Sequence, residues 1–325
     1  EVITNRLGLP TDPQLVIHQI TMNDKGEEQM KVLPTADDMG TRDRAQFDTR
    51  TSDALFSFVA PADATYRVAV RDGFSALRSD PRLVYRLAVR ELHPDFRLVA
   101  VPKDPWGALV MRRGERSTID VLAERRDGLT EPITLSVTGL PAGVTSSEVT
   151  LGPSTTVATL VLTAAANAAP AIANLQITGK ATIDGRAVTR AARCGTTNTS
   201  MTMLTVNQRP PKSLPARVSR QLVLSVTEGE SPFAVELKND KVWETTRAGI
   251  LKIPYTATRH KDYKGPVQCV IENLPANITR TTVTIAANKP AGEFPLTLRN
   301  NTPAGLYTVH AGAFVTAYSY ARNPE

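Results

Sequence analysis

Apolar and polar residues alternate along most of this chain. In two segments, at residues 66–71 and 83–90, the apolar positions are Tyr66, Val68, Val70, Leu83, Tyr85, Leu87 and Val89. A period of two places one face of a strand in a core and the other in solvent, so we expect these side chains to face inward. No stretch of ten or more residues has helical spacing, and 23 prolines and 19 glycines interrupt the apolar segments. The pattern predicts an all-β protein.

Two segments repeat one another at a constant offset of 134 residues. Glu131–Val144 aligns with Gly265–Ile278, and each contains a Leu-Pro-Ala turn after an apolar strand. A Pro-Ala pair follows in both copies, at Pro170 and Pro303. About seven short strands in roughly 110 residues are typical of an immunoglobulin-like sandwich.

Two proline-containing polar segments, Val101–Pro105 and Asn207–Lys212, indicate domain boundaries. The second has the composition of a stiff linker. A chain of 325 residues divides into two or three domains of about 100 to 150 residues. We predict three tandem β-sandwich domains at residues 1–100, 101–208 and 209–325, the last two immunoglobulin-like.

The N-terminal region carries a family pattern in Asn5–Pro13, Asp37-Asp38 and Ser52–Asp72. These segments resemble the bacterial pre-peptidase C-terminal (PPC) domain, and Tyr85–Leu87 with Pro94–Phe96 is similar to versions from large exported planctomycete-type proteins. The resemblance implies a jelly-roll-like sandwich, a non-catalytic role and immunoglobulin-like domains that follow. The family's earlier strand pair has no counterpart here. We therefore expect missing N-terminal strands and a polypeptide that belongs to a longer chain or assembly.

Composition narrows the classes of protein. Hydrophobic residues are 41% and charged residues 22%, which is average for a soluble domain. The most apolar stretch, residues 157–177, contains Thr, Asn and Pro, so no membrane span is predicted. The net charge of +6 comes from arginines interleaved with acids and indicates a mild preference for acidic partners. Two cysteines without CxxC spacing fit neither a disulfide scaffold nor a zinc module.

Five aspartates lie close together in the sequence: Asp37, Asp38, Asp43, Asp48 and Asp53. Clustered carboxylates can supply the roughly six to eight oxygens that Ca²⁺ takes, so these are candidate metal ligands and calcium is the candidate cofactor. The spacing matches no EF-hand loop. A plain capped turn is the alternative, since Asp side chains bond nearby amides. Arg42, Arg44 and Arg50 could also neutralise the acids.

Five arginines occupy the polar parity of the two alternating segments: Arg67, Arg71, Arg82, Arg86 and Arg90. On one sheet face they could bind an anionic glycan or an acidic protein surface. No aromatic residues interleave with them as stacking platforms, so nucleic acid is not a predicted partner. The alternative is a solvated or domain-covered face with ion pairs to Asp72 and Asp80.

Catalytic motifs are absent from the sequence. The histidines His18, His93, His260 and His310 are scattered, and none lies in an HExxH or GxSxG context. Cys269 aligns with Leu135, which predicts a buried thiol, and a disulfide to Cys194 would have to join two domains. Trp106 and Trp243 are predicted to fill a core or a domain seam.

The leading hypothesis is a non-catalytic binding or architectural module of a larger exported protein, located outside the cell, at its surface or in the periplasm. Its partner would be a protein or an anionic glycan. A carbohydrate-binding accessory region of a secreted enzyme, such as a peptidase, is the alternative, and an exposed Trp or Tyr in a groove would favour it. An enzyme in its own right would need a histidine beside a nucleophile or a metal.

Overall fold

In the computed structural model the described residues form β-strands joined by turns and loops. The structure describes residues 1–33, 35–38, 51–73, 80–102, 109–153, 155–195, 218–238, 242–260, 263–272, 274, 277–278, 281–305, 307 and 309–314, with the backbone of 42–43 and 47–48. Its one described helical element is the 3-10 turn Asn5–Leu7. The all-β prediction is confirmed. Across these residues, no helix has the length and apolar character needed to cross a membrane.

The described chain divides into two compact units, and the first contains residues 1–96 and 125–129. Its strands lie in small antiparallel sheets of order β3-β2-β6, β1-β7 and β4-β5. They are β1 Val2–Ile3, β2 Pro13–Met22, β3 Glu28–Val32, β4 Arg42–Asp43, β5 Phe47–Asp48, β6 Thr65–Asp72 and β7 Arg86–Leu87. Leu15 and Ile17 of β2 pack with Val2 and Ala54 in its core.

The second unit contains residues 97–124 and 130–195 and the described residues from 218 onward. Two sandwiches follow one another in this unit, and we call them the second and third repeats. Most residues of the strands of the second repeat lie in this unit. They are β8 Asp95–Pro102, β9 Leu109–Arg113, β10 Arg116–Arg126, β11 Ile133–Thr138, β12 Val144–Ser146, β13 Val149–Leu151, β14 Val157–Ala164, β15 Ala171–Ile183, β16 Arg186–Ala191, β17 Arg193–Gly195, β18 Val218–Ser219 and β19 Leu222–Glu230.

The second repeat has an immunoglobulin-like strand order. One sheet runs β12-β14-β10-β8-β17-β18 and the other β13-β11-β15-β19-β9, with β16 beside β15. In immunoglobulin terms, A, B and E (β8, β10, β14) share one sheet, and C, F and G (β11, β15, β19) share the other. β9 pairs in parallel with β19. Alternate side chains fill the core, among them Ile119, Leu135, Leu160 and Leu224, which are fully buried.

The third repeat has the same strand order as the second, with fewer strands among the residues that the structure describes. They are β20 Phe233–Leu237, β21 Ile250–Arg259, β22 Val267–Glu272, β23 Thr282–Ile285, β24 Ala291–Thr297 and β25 His310–Phe314. The sheets run β20-β21-β24 and β23-β22-β25. Phe294, Val267, Cys269 and Ile285 are fully buried in its core.

The two repeats match residue by residue. Arg116 pairs with Thr163 and Ile250 with Thr297, and both members of the pair are shifted by 134 positions. The β11–β15 and β22–β25 pairs keep the same register. Left-handed turns recur as well: Gly114 (φ 71°) corresponds to Ala248 (φ 58°), and Gly143 (φ 81°) to Asn277 (φ 67°). The predicted repeat therefore extends to backbone conformation.

The last strands of the second repeat lie beyond residue 208. β18 pairs with β17, and β19 pairs with β15 and β9, so these sheets include strands from both sides of the predicted 208/209 boundary. Only Ser231 and Pro232 separate β19 from β20. The three-domain division at 1–100, 101–208 and 209–325 stays a prediction.

Candidate functional site

Asp53 is fully buried in the first unit. Its Oδ1 accepts hydrogen bonds from the backbone amides of Thr4 and Asn5, both at 2.7 Å. Its Oδ2 accepts from the amide of Arg6 at 3.1 Å and from Arg6 Nε at 2.6 Å. Burial alone would raise the pKa of Asp53, but these donors outweigh it and hold the pKa below its ordinary value. The carboxylate thus stabilises the Asn5–Leu7 turn.

Asp37 and Asp38 lie beside Asp12, which sequence reasoning missed. One carboxylate oxygen from each lies within 4.8 Å of the others, and we call these three residues the acidic cluster. Asp12 is half-buried, and Asp37 and Asp38 are exposed. Burial and then the charges of Asp37, Asp38 and Asp72 raise the pKa of Asp12. Three carboxylates at this spacing can offer oxygen ligands to a divalent cation.

The remaining predicted acids do not join the acidic cluster in the described structure. Asp53 is absent from it. Asp43 and Asp48 sit in the β4–β5 ladder, and their side chains lie outside the described residues. The calcium hypothesis stays a prediction. The one signal in the sequence for Asp12 is its position just before β2. The first residue of β2, Pro13, pairs with Asp72 of β6.

A cavity of about 370 Å³ opens in the first unit. Arg71, Asp72, Asp80 and Tyr85 line it with polar groups, and Val70 and Leu83 contribute apolar surface. Asp72 also accepts a hydrogen bond at 3.2 Å from the amide of Asp12. A guanidinium, two carboxylates and a phenol offer both donors and acceptors to a small polar ligand.

The five predicted arginines do not share one sheet face. Arg67 and Arg71 lie exposed on β6, which pairs with β2, while Arg86 lies on β7, which pairs with β1. Three of the five form ion pairs with acids of the same unit: Arg67 with Glu28, Arg82 with Asp80, and Arg90 with Asp127. The hydrogen bond from Arg90 is the first cause of the lowered pKa of Asp127. Their ligand-binding role stays a prediction.

The prediction that Tyr85, Leu87 and Val89 face inward is wrong. Their exposed fractions are 58%, 40% and 81%. Within residues 83–90 only Arg86–Leu87 forms a strand, and its two pairs with β1 do not bring the segment onto a core. Tyr85 instead reaches the cavity.

The two tryptophans differ in what the structure describes. Trp243 is half-buried against the third core, and its Nε1 donates to the carbonyl of Lys238 at 3.1 Å. This is the predicted core position. Trp106 lies outside the described residues. Neither tryptophan lines the described cavity, whereas Tyr85 does.

The histidines are distributed over different strands and loops. His310 Nε2 lies 3.2 Å from Glu272, and His260 Nε2 lies 2.6 Å from Glu230. His18 lies on β2, and His93 donates its backbone amide to Asp127. Among the described residues, the acidic cluster contains no histidine.

Both cysteines carry free thiols. Cys269 and its counterpart Leu135 are fully buried, as the alignment predicts. Burial raises the pKa of Cys269 to about 11, so its thiol is protonated at neutral pH and a poor nucleophile. Burial also raises the pKa of Cys194. This residue lies on β17, where its backbone pairs with Ser219 of β18.

No family model matches the sequence, and neither does any curated protein. Many solved structures are similar to it at low identity, and three of them serve as examples. The D0-D1 domain of intimin is 9% identical, with 67% of this chain and 97% of that chain covered, at a TM-score of 0.21. CBD12 from CALX1.2 is also 9% identical (66% and 80% covered, TM-score 0.21). A marsupial T cell receptor is 8% identical (70% and 69% covered, TM-score 0.22). At these scores the likenesses carry no functional argument.

Proposed function

We propose that this chain is a non-catalytic binding and architectural module of an exported or cell-surface bacterial protein, in which immunoglobulin-like repeats hold a partner-binding surface at a fixed spacing. The observation that carries this proposal is the joint between the second and third repeats. Ser231 donates its amide to the carbonyl of Arg113 in the second repeat at 2.8 Å. Pro232 accepts from the amide of His260 in the third repeat at 2.8 Å.

Side chains reinforce this two-residue joint. His260 meets Glu230 at the end of β19, and Arg116 of β10 meets Glu236 of β20. A joint bonded to the repeats on both sides has few free backbone torsions, and proline fixes one more. A string of repeats connected in this way acts as a spacer.

The spacer proposal is tested by distance measurements between spin labels. Thr134→Cys and Thr256→Cys place labels at exposed strand positions of the two repeats, with Cys194→Ser and Cys269→Ala removing native thiols. We expect a narrow distance distribution that broadens when four Gly/Ser residues are inserted between Ser231 and Pro232. A distribution that is equally broad without the insertion would contradict the proposal, as would hydrolytic turnover by the purified chain.

A carbohydrate-binding accessory role is the second candidate, because exposed Tyr85 lines the cavity together with Arg71. Aromatic rings and polar groups in a cleft are suited to a sugar. Glycan-array binding that is lost in Tyr85→Ala and retained in Val89→Ala, an exposed control on the same segment, supports this role. Binding that is unchanged by Tyr85→Ala rejects this site.

The partner surface and calcium are further proposals within the same module. Exposed Arg67 and Arg71 on β6 support an acidic protein or anionic glycan as partner. The acidic cluster supports calcium. Calorimetric titration with CaCl₂ should show heat that disappears in Asp38→Asn and persists in Asp63→Asn, an exposed aspartate outside the cluster. No saturable heat in the unchanged chain rejects calcium.

A further inference from the structure

One sheet of the second repeat turns a face rich in hydroxyl groups to solvent. Inward positions of this sheet, such as Leu135 and Ile177, are buried, and the alternate positions of β11, β13, β15 and β16 point outward. The outward side chains that carry hydroxyls are Thr134, Ser136, Thr138, Thr150, Thr178, Thr182 and Thr189. Thr178 is half-buried and the others are exposed. We call these residues, together with Lys180, the hydroxyl face.

Strand register places Lys180 at the centre of the hydroxyl face. It pairs with Thr134 of β11 on one side and with Thr189 of β16 on the other, and Thr134 pairs in turn with Thr150 of β13. Three threonines and one lysine therefore form a row across four strands, which lie about 4.7–4.9 Å apart. The residues two positions before and after Lys180 on β15 are also threonines of this face.

The positive charge of Lys180 is not neutralised on this face. The strands β11, β13, β15 and β16 contain no Asp or Glu, and within the described part of the chain no acid pairs with Lys180. Arg186 and Arg190, both exposed on the edge strand β16, add positive charge beside it. In the first unit, by contrast, three of the predicted arginines are already paired with acids. The hydroxyl face therefore offers a cation to an anionic ligand.

The hydroxyl groups around Lys180 retain hydrogen-bonding capacity. Ser136 Oγ and Thr178 Oγ1 lie 3.0 Å apart, and Thr134 Oγ1 and Thr150 Oγ1 lie 3.4 Å apart. A hydroxyl has one donor and two acceptor positions, so each of these pairs leaves a donor and several acceptor positions for a ligand. A ligand with many hydroxyls could bond to this face at several points.

The fold itself does not require this combination of residues. At the offset of 134, Phe314 replaces Lys180 and Val270 replaces Ser136. Val270 is 3% exposed, so the equivalent position of the third repeat is not a polar surface. Charges on an edge strand such as β16 can simply prevent aggregation, but Lys180 lies on β15, which is flanked by β11 and β16. Edge protection does not account for a lysine there.

We propose that the hydroxyl face binds an acidic polysaccharide, with a sugar carboxylate on Lys180 and sugar hydroxyls on the surrounding threonines. Charge complementarity favours the anion, and the hydroxyl array suits the sugar. An acidic protein fits less well, because protein interfaces depend on aromatic anchors and these four strands contain no aromatic residue. The inference rests on the proposed function, because it names the class of partner and the repeat that holds it.

The first test measures binding of the chain of residues 1–325 to immobilised alginate, a polymer of uronic acids, by surface plasmon resonance. A chelator is present, so that calcium cannot bridge alginate and the acidic cluster. Lys180→Glu should weaken binding at least about tenfold, whereas Lys289→Glu, the same charge change at an exposed lysine of the third repeat, should weaken it less than about twofold. Equal losses, or no saturable binding of the unchanged chain, overturn the proposal.

The second test separates sugar recognition from charge. Thr134→Val combined with Thr189→Val removes two hydroxyls and keeps the side-chain shape, and it should weaken alginate binding at least about threefold. Thr145→Val, at an exposed position of β12 in the other sheet, is the control and should leave binding unchanged. Polyglutamate should bind at least about fivefold more weakly than alginate of equal charge. Equal binding of polyglutamate would indicate an acidic protein as the partner and overturn the proposal.

The arginines of β6 provide the last comparison. Loss of alginate binding in Arg67→Glu, Arg71→Glu, with unchanged binding in Lys180→Glu, would place the polysaccharide on β6 and overturn this inference while leaving the proposed function intact. Spin-label distances across the Ser231-Pro232 joint are measured without polysaccharide. Failure of glycan binding and failure of the spacer function are therefore distinguishable.

Discussion

The second and third repeats share strand order, register and turn conformation, yet they differ in how one sheet is closed. In the second repeat, β19 lies between β15 and β9 and buries Leu224 completely. In the third repeat, the described counterparts of the residues that pair with β19, namely Gly305, Tyr307, Val309 and residues 243–247, lie outside any strand. Local propensity alone is too weak to decide whether a segment at a sheet edge becomes a strand, so a neighbouring strand that satisfies its backbone has a large influence.

The largest expected effect comes from weakening the closing strand of the second repeat. Leu224→Ala removes a fully buried side chain from β19 and should lower the free energy of unfolding by about 2–5 kcal/mol. Val223→Ala, at a position of the same strand that is 46% exposed, should change it by less than about 0.5 kcal/mol. Urea unfolding followed by circular dichroism measures both, and a cost for Leu224→Ala as small as that of Val223→Ala would contradict the closing role.

Thiol labelling compares how readily the two cores open. Cys269 and Leu135 are equivalent, fully buried positions, so Leu135→Cys with Cys194→Ser and Cys269→Ala gives the second repeat a matched probe. We expect Cys269, in the Cys194→Ser chain, to be labelled at least about tenfold faster, which corresponds to an opening free energy about 1.4 kcal/mol lower. The cavity left by Leu135→Cys favours opening of the second repeat, so it works against this result. Equal rates would mean that closure by β19 does not govern opening.

The left-handed turn offers a smaller effect of opposite sign in the two repeats. Ala248 has φ 58° where the second repeat has Gly114 at φ 71°. Ala248→Gly should stabilise the third repeat by about 0.5–1 kcal/mol, because the strain on Cβ exceeds the entropy that glycine adds to the unfolded chain. Gly114→Ala should destabilise the second repeat by about 1 kcal/mol. Thermal unfolding of both variants checks the pair, and a destabilising Ala248→Gly would show that the turns are not equivalent.

The smallest effect is expected for the ion pair that joins the two repeats. Arg116 and Glu236 are both substantially exposed, so solvent screens their attraction. A double-mutant cycle with Arg116→Ala and Glu236→Ala should give a coupling energy of about 0.2–1 kcal/mol that decreases in 1 M salt. A larger, salt-insensitive coupling would show that the joint depends on this pair more than on its backbone hydrogen bonds.

Local patterns in the sequence are sufficient to predict the all-β class and the repeat. Alternation gives the buried side correctly at Tyr66, Val68 and Val70 of β6. The offset of 134 makes Cys269 equivalent to the buried Leu135. The pattern cannot give the partner of a strand. Arg67 and Arg86 each lie at a polar position of their own alternating segment but belong to different sheets, because residues 83–90 pair with β1 and only at Arg86–Leu87. Parity is a property of one strand, whereas a shared face needs two strands in one sheet.

The candidate site was predicted less completely for the same reason. Asp37 and Asp38 are adjacent in sequence, but Asp12 reaches them through folding of a distant segment. Nothing in the local sequence distinguishes Asp53 from the exposed aspartates. Its buried carboxylate is satisfied by three backbone amides and one guanidinium near the start of the chain. Long-range hydrogen bonds of this kind leave no periodic signal in a sequence.

The two-residue joint also has a mechanical consequence. Tension on the third repeat passes through Ser231 and Pro232 directly into the end of β19, whose partner β9 runs parallel to it. Pulling the two strands in opposite directions loads their hydrogen bonds in shear, so the bonds share the force and do not open one after another. We expect the second repeat to resist stretching along this axis.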